Sequence, residues 1–286
     1  MRVAYLGPRG TFTEDALRQA SSGEDLEALP ASSIYGAIDA VENGEAERAL
    51  VPFENSIEGA VRGTLDALAF DAEGVAIVGE LDYPVRHALI AREPLPLDRV
   101  EAVLSHPQAS AQCARFIREQ LPAAEVMPAA STAEAVRLVS ESDRPWAALG
   151  AAAAAQLYDC AILRDGVEDE PDNVTRFVWV APEGTSVTGD PPWRTSLVFA
   201  ELGEDHPGAL VEALHEFSDR EVNLTRIESR PLRRGFGRYM FFVDLEGAAH
   251  DEGVADAIEG LRGKADSVRV LGSYPSGGRR GIPGSP

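Results

Sequence analysis

The chain has 286 residues, 44% of them hydrophobic, a length and apolar content that suit about two domains, each with a core of its own. Forty-seven acids against 26 bases leave a net charge of −21, which argues against nucleic acid and anionic membranes as partners. No apolar run reaches membrane-spanning length, and the N-terminus turns at Gly7-Pro8 before a signal-peptide core forms, so a cytoplasmic protein is expected.

Along residues 1–181, apolar strand candidates alternate with helical stretches, the pattern of an α/β layer with parallel strands. Val3 to Leu6 runs into Gly7-Pro8-Arg9-Gly10, and Thr11-x-x-Glu14 then forms a capping box that opens a helix over Ala16, Leu17 and Ala20. Ala49 to Val51 leads to Pro52-Phe53-Glu54-Asn55-Ser56, where amide and hydroxyl groups precede a helical stretch near Val61 to Leu68. Val100 to Leu104 leads to Ser105-His106-Pro107, with proline at the favoured first helical position and Gln108 in the first turn. Ser131-x-x-Glu134 is a second capping box, with Thr132 just inside it, and Trp146 to Leu149 meets Gly150 and a helical alanine run. Helix N-termini carry unpaired N–H groups and partial positive charge. Several of them converging at strand ends would make an anion site inside an acidic protein.

Cys113 and Cys160 fall in predicted helical stretches and read as small buried hydrophobes. The five histidines make no i,i+4 pair, so no metal site is expected. Gly7-x-x-Gly10 lacks the dinucleotide fingerprint and no Walker lysine is present, so no cofactor is expected.

Asn173-Val174-Thr175-Arg176-Phe177 sets a hydroxyl beside a permanent cation at the mouth of an apolar strand, Phe177 to Val180. A hydroxyl can donate a proton and a guanidinium can clamp a carboxylate, which suits an anionic substrate with a leaving oxygen. By itself, such a pair at a strand start is far more often structure than chemistry. Residues 182–194 are rich in turn formers and read as a linker. Beyond it come strand (195–202), helix (209–219), strand (222–228), strand (239–245), helix (252–261) and strand (268–271), the βαββαβ ferredoxin-like order of a second domain spanning 195–275. Residues 276–286 have little to bury and are expected to be a disordered tail.

These motifs resemble prephenate dehydratase with a C-terminal ACT regulatory domain. The resemblance is carried by Gly7-Pro-Arg-Gly-Thr-Phe12, Pro52-Phe-Glu-Asn-Ser-Ile-Glu-Gly59, Ser105-His-Pro-Gln-Ala109, Ser131-Thr-Ala-Glu-Ala135 and Asn173-Val-Thr-Arg-Phe177. In the second domain it is carried by Gly208-Ala-Leu-Val211 and Glu228-Ser-Arg-Pro231. It implies a bilobed, periplasmic-binding-protein-like catalytic domain that turns prephenate into phenylpyruvate, CO2 and water, with feedback inhibition by phenylalanine. By this resemblance Thr175 donates to the departing hydroxyl, Arg176 holds a carboxylate or pins the lobe, and Phe177 walls the site. Thr11, Asn55, Ser56, Ser105, His106, Gln108 and Thr132 become substrate contacts, each with a rival role as cap or loop bond, and His106 suits the capping role best. Gly208, Ala209, Leu210, Val211, Glu228, Ser229, Arg230 and Pro231 would hold phenylalanine at a contact between paired ACT domains, which implies a homodimer or homotetramer. The alternatives are arogenate dehydratase, or a noncatalytic bilobed sensor of an aromatic acid. No fused chorismate mutase is expected, because no further helical domain flanks residues 1–275. The acid excess with a single lysine, Lys264, suits a salt-rich cytoplasm, while codon bias toward arginine would account only for the lysine deficit.

Overall fold

The computed structural model describes residues 1–21, 25–203 and 206–276. The chain begins with β1 (Arg2–Leu6), α1 (Phe12–Ala20), β2 (Glu27–Ala31), α2 (Ile34–Glu42), β3 (Arg48–Asn55), the two-residue β4 (Gly59–Ala60), α3 (Arg62–Asp66) and β5 (Val75–Pro84). It then crosses to a second layer: β6 (Ala88–Ala91), β7 (Ala102–Ser105), α4 (Pro107–Gln112), α5 (Ala114–Gln120), β8 (Glu125–Pro128), α6 (Thr132–Ser140), β9 (Trp146–Gly150), α7 (Ala152–Leu157) and β10 (Ala161–Asp165). β11 (Val174–Pro182) returns to the first layer and pairs antiparallel with both β3 and β5, giving the order β2-β1-β3-β11-β5. The second sheet runs β10-β6-β9-β7-β8.

Both sheets are therefore mixed, not parallel throughout. β1 runs parallel to β2 and β3, and β7 to β8 and β9, as helix crossovers require, while β11 in the first sheet and β6 in the second run the other way. The crossings are tied together: Val85 N–H donates to the Asn173 carbonyl at 2.8 Å, and Val167 N–H to that of His87 at 3.0 Å. The expected caps form, with Thr11 and Ser131 hydroxyls accepting from the N–H groups of Glu14 and Glu134, and Ser33 adds a third, accepting from Gly36 N–H. Each apolar helix face then buries against its sheet, as with Ala16 and Leu17 of α1 or Val136 and Val139 of α6.

The third unit comprises β12 (Trp193–Ala200), α8 (Ala209–Ser218), β13 (Leu224–Pro231), β14 (Tyr239–Glu246), α9 (Glu252–Arg262) and β15 (Ser267–Pro275), the expected βαββαβ order. Its antiparallel sheet runs β13-β14-β12-β15. One face packs Leu197, Phe199, Val243 and Leu245 on Phe217 and Leu261 of the helices. The other presents Val198, Phe242, Leu271 and Tyr274 to the first lobe, where they join Phe53, Ile77, Val178 and Val180 in one continuous core. At this seam Gly272 is required by contact, since a Cβ there would lie 2.1 Å from the Ile77 carbonyl oxygen. The expected tail lies outside the described residues except for Ser276, whose N–H donates to the Pro192 carbonyl at 2.8 Å.

Candidate active site

A cavity of about 700 Å³ opens between the two lobes at the crossings. Three helices of nine residues, α1, α2 and α6, begin at its wall, so first-turn amides and the positive ends of three dipoles bear on it. Glu134 is the one carboxylate among the described lining residues, and no arginine or lysine is among them. Arg137 takes both Glu134 oxygens, at 2.7 and 2.8 Å, and that bond holds its pKa below the ordinary value. The wall facing a ligand is thus largely apolar, with amides and hydroxyls at its polar points and no unpaired charge among the described lining residues, within a strongly acidic chain. It suits a small anion.

Thr11, Asn55, His106, Gln108, Thr132, Thr175 and Phe177 all line this cavity. Thr11 and His106 also cap α1 and α4; the His106 Nδ1 accepts from the Gln108 amide at 3.3 Å. Thr175 Oγ1 accepts from Asn55 Nδ2 at 3.0 Å. Its own proton goes to no described residue. Phe177 packs edge-on against Tyr83 and closes the floor of the site.

Three expected contacts lie elsewhere. Ser105 is fully buried and donates to the Leu149 carbonyl, locking β7 to the strand beside it. Ser56 accepts from the Val174 N–H at 3.0 Å and fastens the loop after β3 to β11. Arg176, expected to hold a substrate carboxylate or to pin the lobe, points to the opposite face of β11, as strand alternation demands. There it meets Asp244 of the third unit at 2.6 Å and Glu54 at 3.0 Å, over the ring of Phe53. It pins the lobe to that unit.

Three residues not singled out from the sequence join the site: His87, Gln112 and Asn173. Asn173 stood inside the conspicuous motif, whereas neither His87 nor Gln112 lies at a telling spacing; only the meeting of the two crossings brings them together. Burial lowers the pKa of His87 below 6.5, opposed by its bond to Gln112 and by nearby Glu168. Burial likewise pushes the Cys113 thiol up to about 12, with Asp169 and Glu168 adding to it, so this cysteine behaves as the small hydrophobe expected.

In the third unit, Gly208 caps α8 at φ 103°, a conformation natural to glycine, and Val211 and Ile227 are half exposed. Register pairs Ile227 with Val243 and Ser229 with Phe241, so Ile227 and Ser229 lie on the helix-covered side of the sheet. Glu228 and Arg230 point the other way. Arg230, expected at an effector site, is instead held by both oxygens of Asp66 in the first lobe, at 2.7 and 2.8 Å.

Two α/β lobes closing on a cleft ringed by helix N-termini, with a βαββαβ unit fused to one of them, define a bilobed small-anion-binding protein carrying a ferredoxin-like module. A family model described as prephenate dehydratase matches residues 3–185, and one described as ACT domain matches 197–263. The prephenate dehydratase of Mycobacterium sp. (strain JLS) is 42% identical over 295 aligned residues, covering 99% of this chain and 91% of its own. The solved prephenate dehydratase of Arthrobacter aurescens, in complex with L-Phe, is 40% identical with a TM-score of 0.89 over 96% of this chain and 90% of that one. GqqA, named as a novel type of quorum-quenching acylase, is 32% identical with a TM-score of 0.84, covering 97% of this chain and 98% of its own. The chain belongs to the prephenate dehydratase family, in the form with an ACT domain.

Proposed function

We propose that this chain's cleft carries out decarboxylative dehydration of prephenate with Thr175 as the group that meets the leaving oxygen. The ring-bound carboxylate leaves as CO2, its bonding electrons enter the ring, and the C4–O bond breaks to expel hydroxide, which becomes water on gaining a proton. The ring ends aromatic, as phenylpyruvate. Most of the barrier lies in the poor leaving group, so a hydrogen bond that strengthens as C4–O breaks is the effective contribution. The observation that carries the reading is the Thr175 hydroxyl: it accepts from Asn55 inside the cleft, so its proton is free for a ligand. Amides in the first turns of α1 and α6, with Thr132 and Gln108, meet the carboxylates, and Phe177 keeps water from the ring.

The engagement of Glu134 by Arg137 supports prephenate over arogenate, because no carboxylate among the described lining residues is left unpaired to meet an ammonium group. An acylase reading lacks an activated nucleophile: Thr175 has an amide donor beside it and no described base within hydrogen-bond distance. For regulation, L-phenylalanine binds the third unit near Gly208 to Val211 and Ser229. Binding of L-phenylalanine is supported by the L-Phe complex of the Arthrobacter relative, and its placement by the half-exposed Val211 and Ile227, which a second subunit would cover. The working form in this reading is a cytoplasmic homo-oligomer adapted to salt. Its domains run from 1 to 181 and from 195 to 275, joined by 182–194.

Thr175→Val keeps the shape and deletes the hydroxyl. Turnover of prephenate should fall by about 10²–10⁴ with folding unchanged, and phenylalanine should inhibit the wild type. Near-normal turnover in the variant would remove Thr175 from the chemistry. No calorimetric binding of phenylalanine would remove the regulatory half.

A further inference from the structure

We infer that Asn55, Asn173, Gln112 and His87 form a hydrogen-bond chain of fixed direction that orients the Thr175 hydroxyl, with His87 as its neutral, Nε2-protonated end. The inference rests on the proposed role of Thr175.

The direction is set by backbone. Asn55 Oδ1 accepts from the N–H groups of Ile57 and Glu58, both at 3.0 Å, so the Asn55 amide has one possible orientation. Its Nδ2 therefore faces Asn173 Oδ1 at 2.7 Å and Thr175 Oγ1 at 3.0 Å, and donates to both. With Asn173 Oδ1 committed as an acceptor, Asn173 Nδ2 donates to Gln112 Oε1 at 3.1 Å. Gln112 Nε2 points to Glu58 Oε1 at 3.4 Å, which independently places Oε1 toward Asn173. His87 Nε2 lies 3.1 Å from the same Oε1, and an oxygen that only accepts requires the hydrogen to sit on Nε2.

That leaves His87 Nδ1 with a lone pair, and this atom is buried without a hydrogen-bond partner among the described residues. A second proton there would have no acceptor. The chain runs from the end of β3 through both crossings to the end of α4, so elements of both lobes hold one hydroxyl. Its consequence is rotational: Thr175 must accept from Asn55, and its proton is turned into the cleft. His87 is thus a positioning residue, acting through the three amides, and touches no reacting atom.

Asn173→Asp tests this, because an ionised carboxylate still accepts from Asn55 but cannot donate to Gln112, whereas a protonated one can. Charged groups around this position are Glu58 after β3, Glu168 paired with Arg86, and Asp169 beside Arg115, with His87 itself facing Gln112. At mildly alkaline pH, kcat of the variant should fall about 100-fold while KM moves less than about threefold, and the deficit should shrink as acid restores the donor. Nitrogen-15 NMR of the wild-type protein near neutral pH should show His87 as the Nε2–H tautomer, a measurement that does not depend on any variant folding. An Nδ1–H or doubly protonated His87 overturns the chain, as does an Asn173→Asp deficit that is absent or equal at all pH values. Active Thr175→Val would instead sink the reading beneath it while leaving the His87 tautomer as found, so the two failures are distinguishable.

Discussion

Thr175 and Arg176 are neighbours in sequence with separate destinations. Period-two alternation sends one into the cleft and the other into the seam with the third unit, so a single face never holds both. The sequence contained that signal, in the apolar run that marks β11 as a strand. His87 contributes at the same scale through its protonation state. Its pKa is depressed by burial, so between the folded value and 6.5 the unfolded chain binds more protons than the folded one. The stability it contributes is fully present above 6.5 and is lost as pH falls through the folded value. Replacing it with asparagine removes that dependence. The difference in urea midpoint between wild type and His87→Asn should therefore shrink as pH is lowered from neutrality, and a constant difference would show that His87 is not held neutral by burial.

The element that joins chemistry to the rest of the molecule is β11. On its far face Arg176, Arg194 and Arg226 meet Glu54, Glu80 and Asp244, three cations against three carboxylates across the seam between the lobe and β12 to β15. Ser196 donates to Asp244 at 2.6 Å and accepts from the Tyr274 hydroxyl at 2.8 Å, while Arg176 Nε and both terminal nitrogens of Arg226 are buried without a hydrogen-bond partner among the described residues. Removing one cation would strand charges that burial makes costly. Arg176→Met should destabilise by about 3–5 kcal/mol in urea unfolding, and adding Asp244→Leu should recover part of the loss. A loss below about 1 kcal/mol would mean that the seam relaxes or admits water. KM for prephenate should change less than about threefold, where a carboxylate clamp would have raised it greatly. Because the strand carrying Thr175 is also the strand clasped by the third unit, a shift of that unit has a mechanical route to the cleft.

For the whole molecule the controlling quantity is a net charge of −21 spread over three packed units. Like-charge repulsion opposes compaction, and at about 1 M salt the screening length drops to about 3 Å. The melting temperature should rise with KCl into the molar range, together with activity; full stability and activity near zero salt would leave the acid excess without this role. Helix N-termini, not cations, face the cleft, and their partial positive charge opposes the surrounding negative field there. Capping boxes announced two of those helices, and the βαββαβ order of the third unit was legible from spacing alone, since local hydrogen-bonding and hydrophobic period are written in consecutive residues. Proximity across distant residues is not so written. That β11 would insert antiparallel between β3 and β5, that Ser105 would turn to a neighbouring strand, that Arg176 and Arg230 would clasp another unit, and that His87 and Gln112 would meet Asn173 were decided only by tertiary packing. Residues far apart in the chain become partners only when buried polar groups must find one another in a shared, water-poor space.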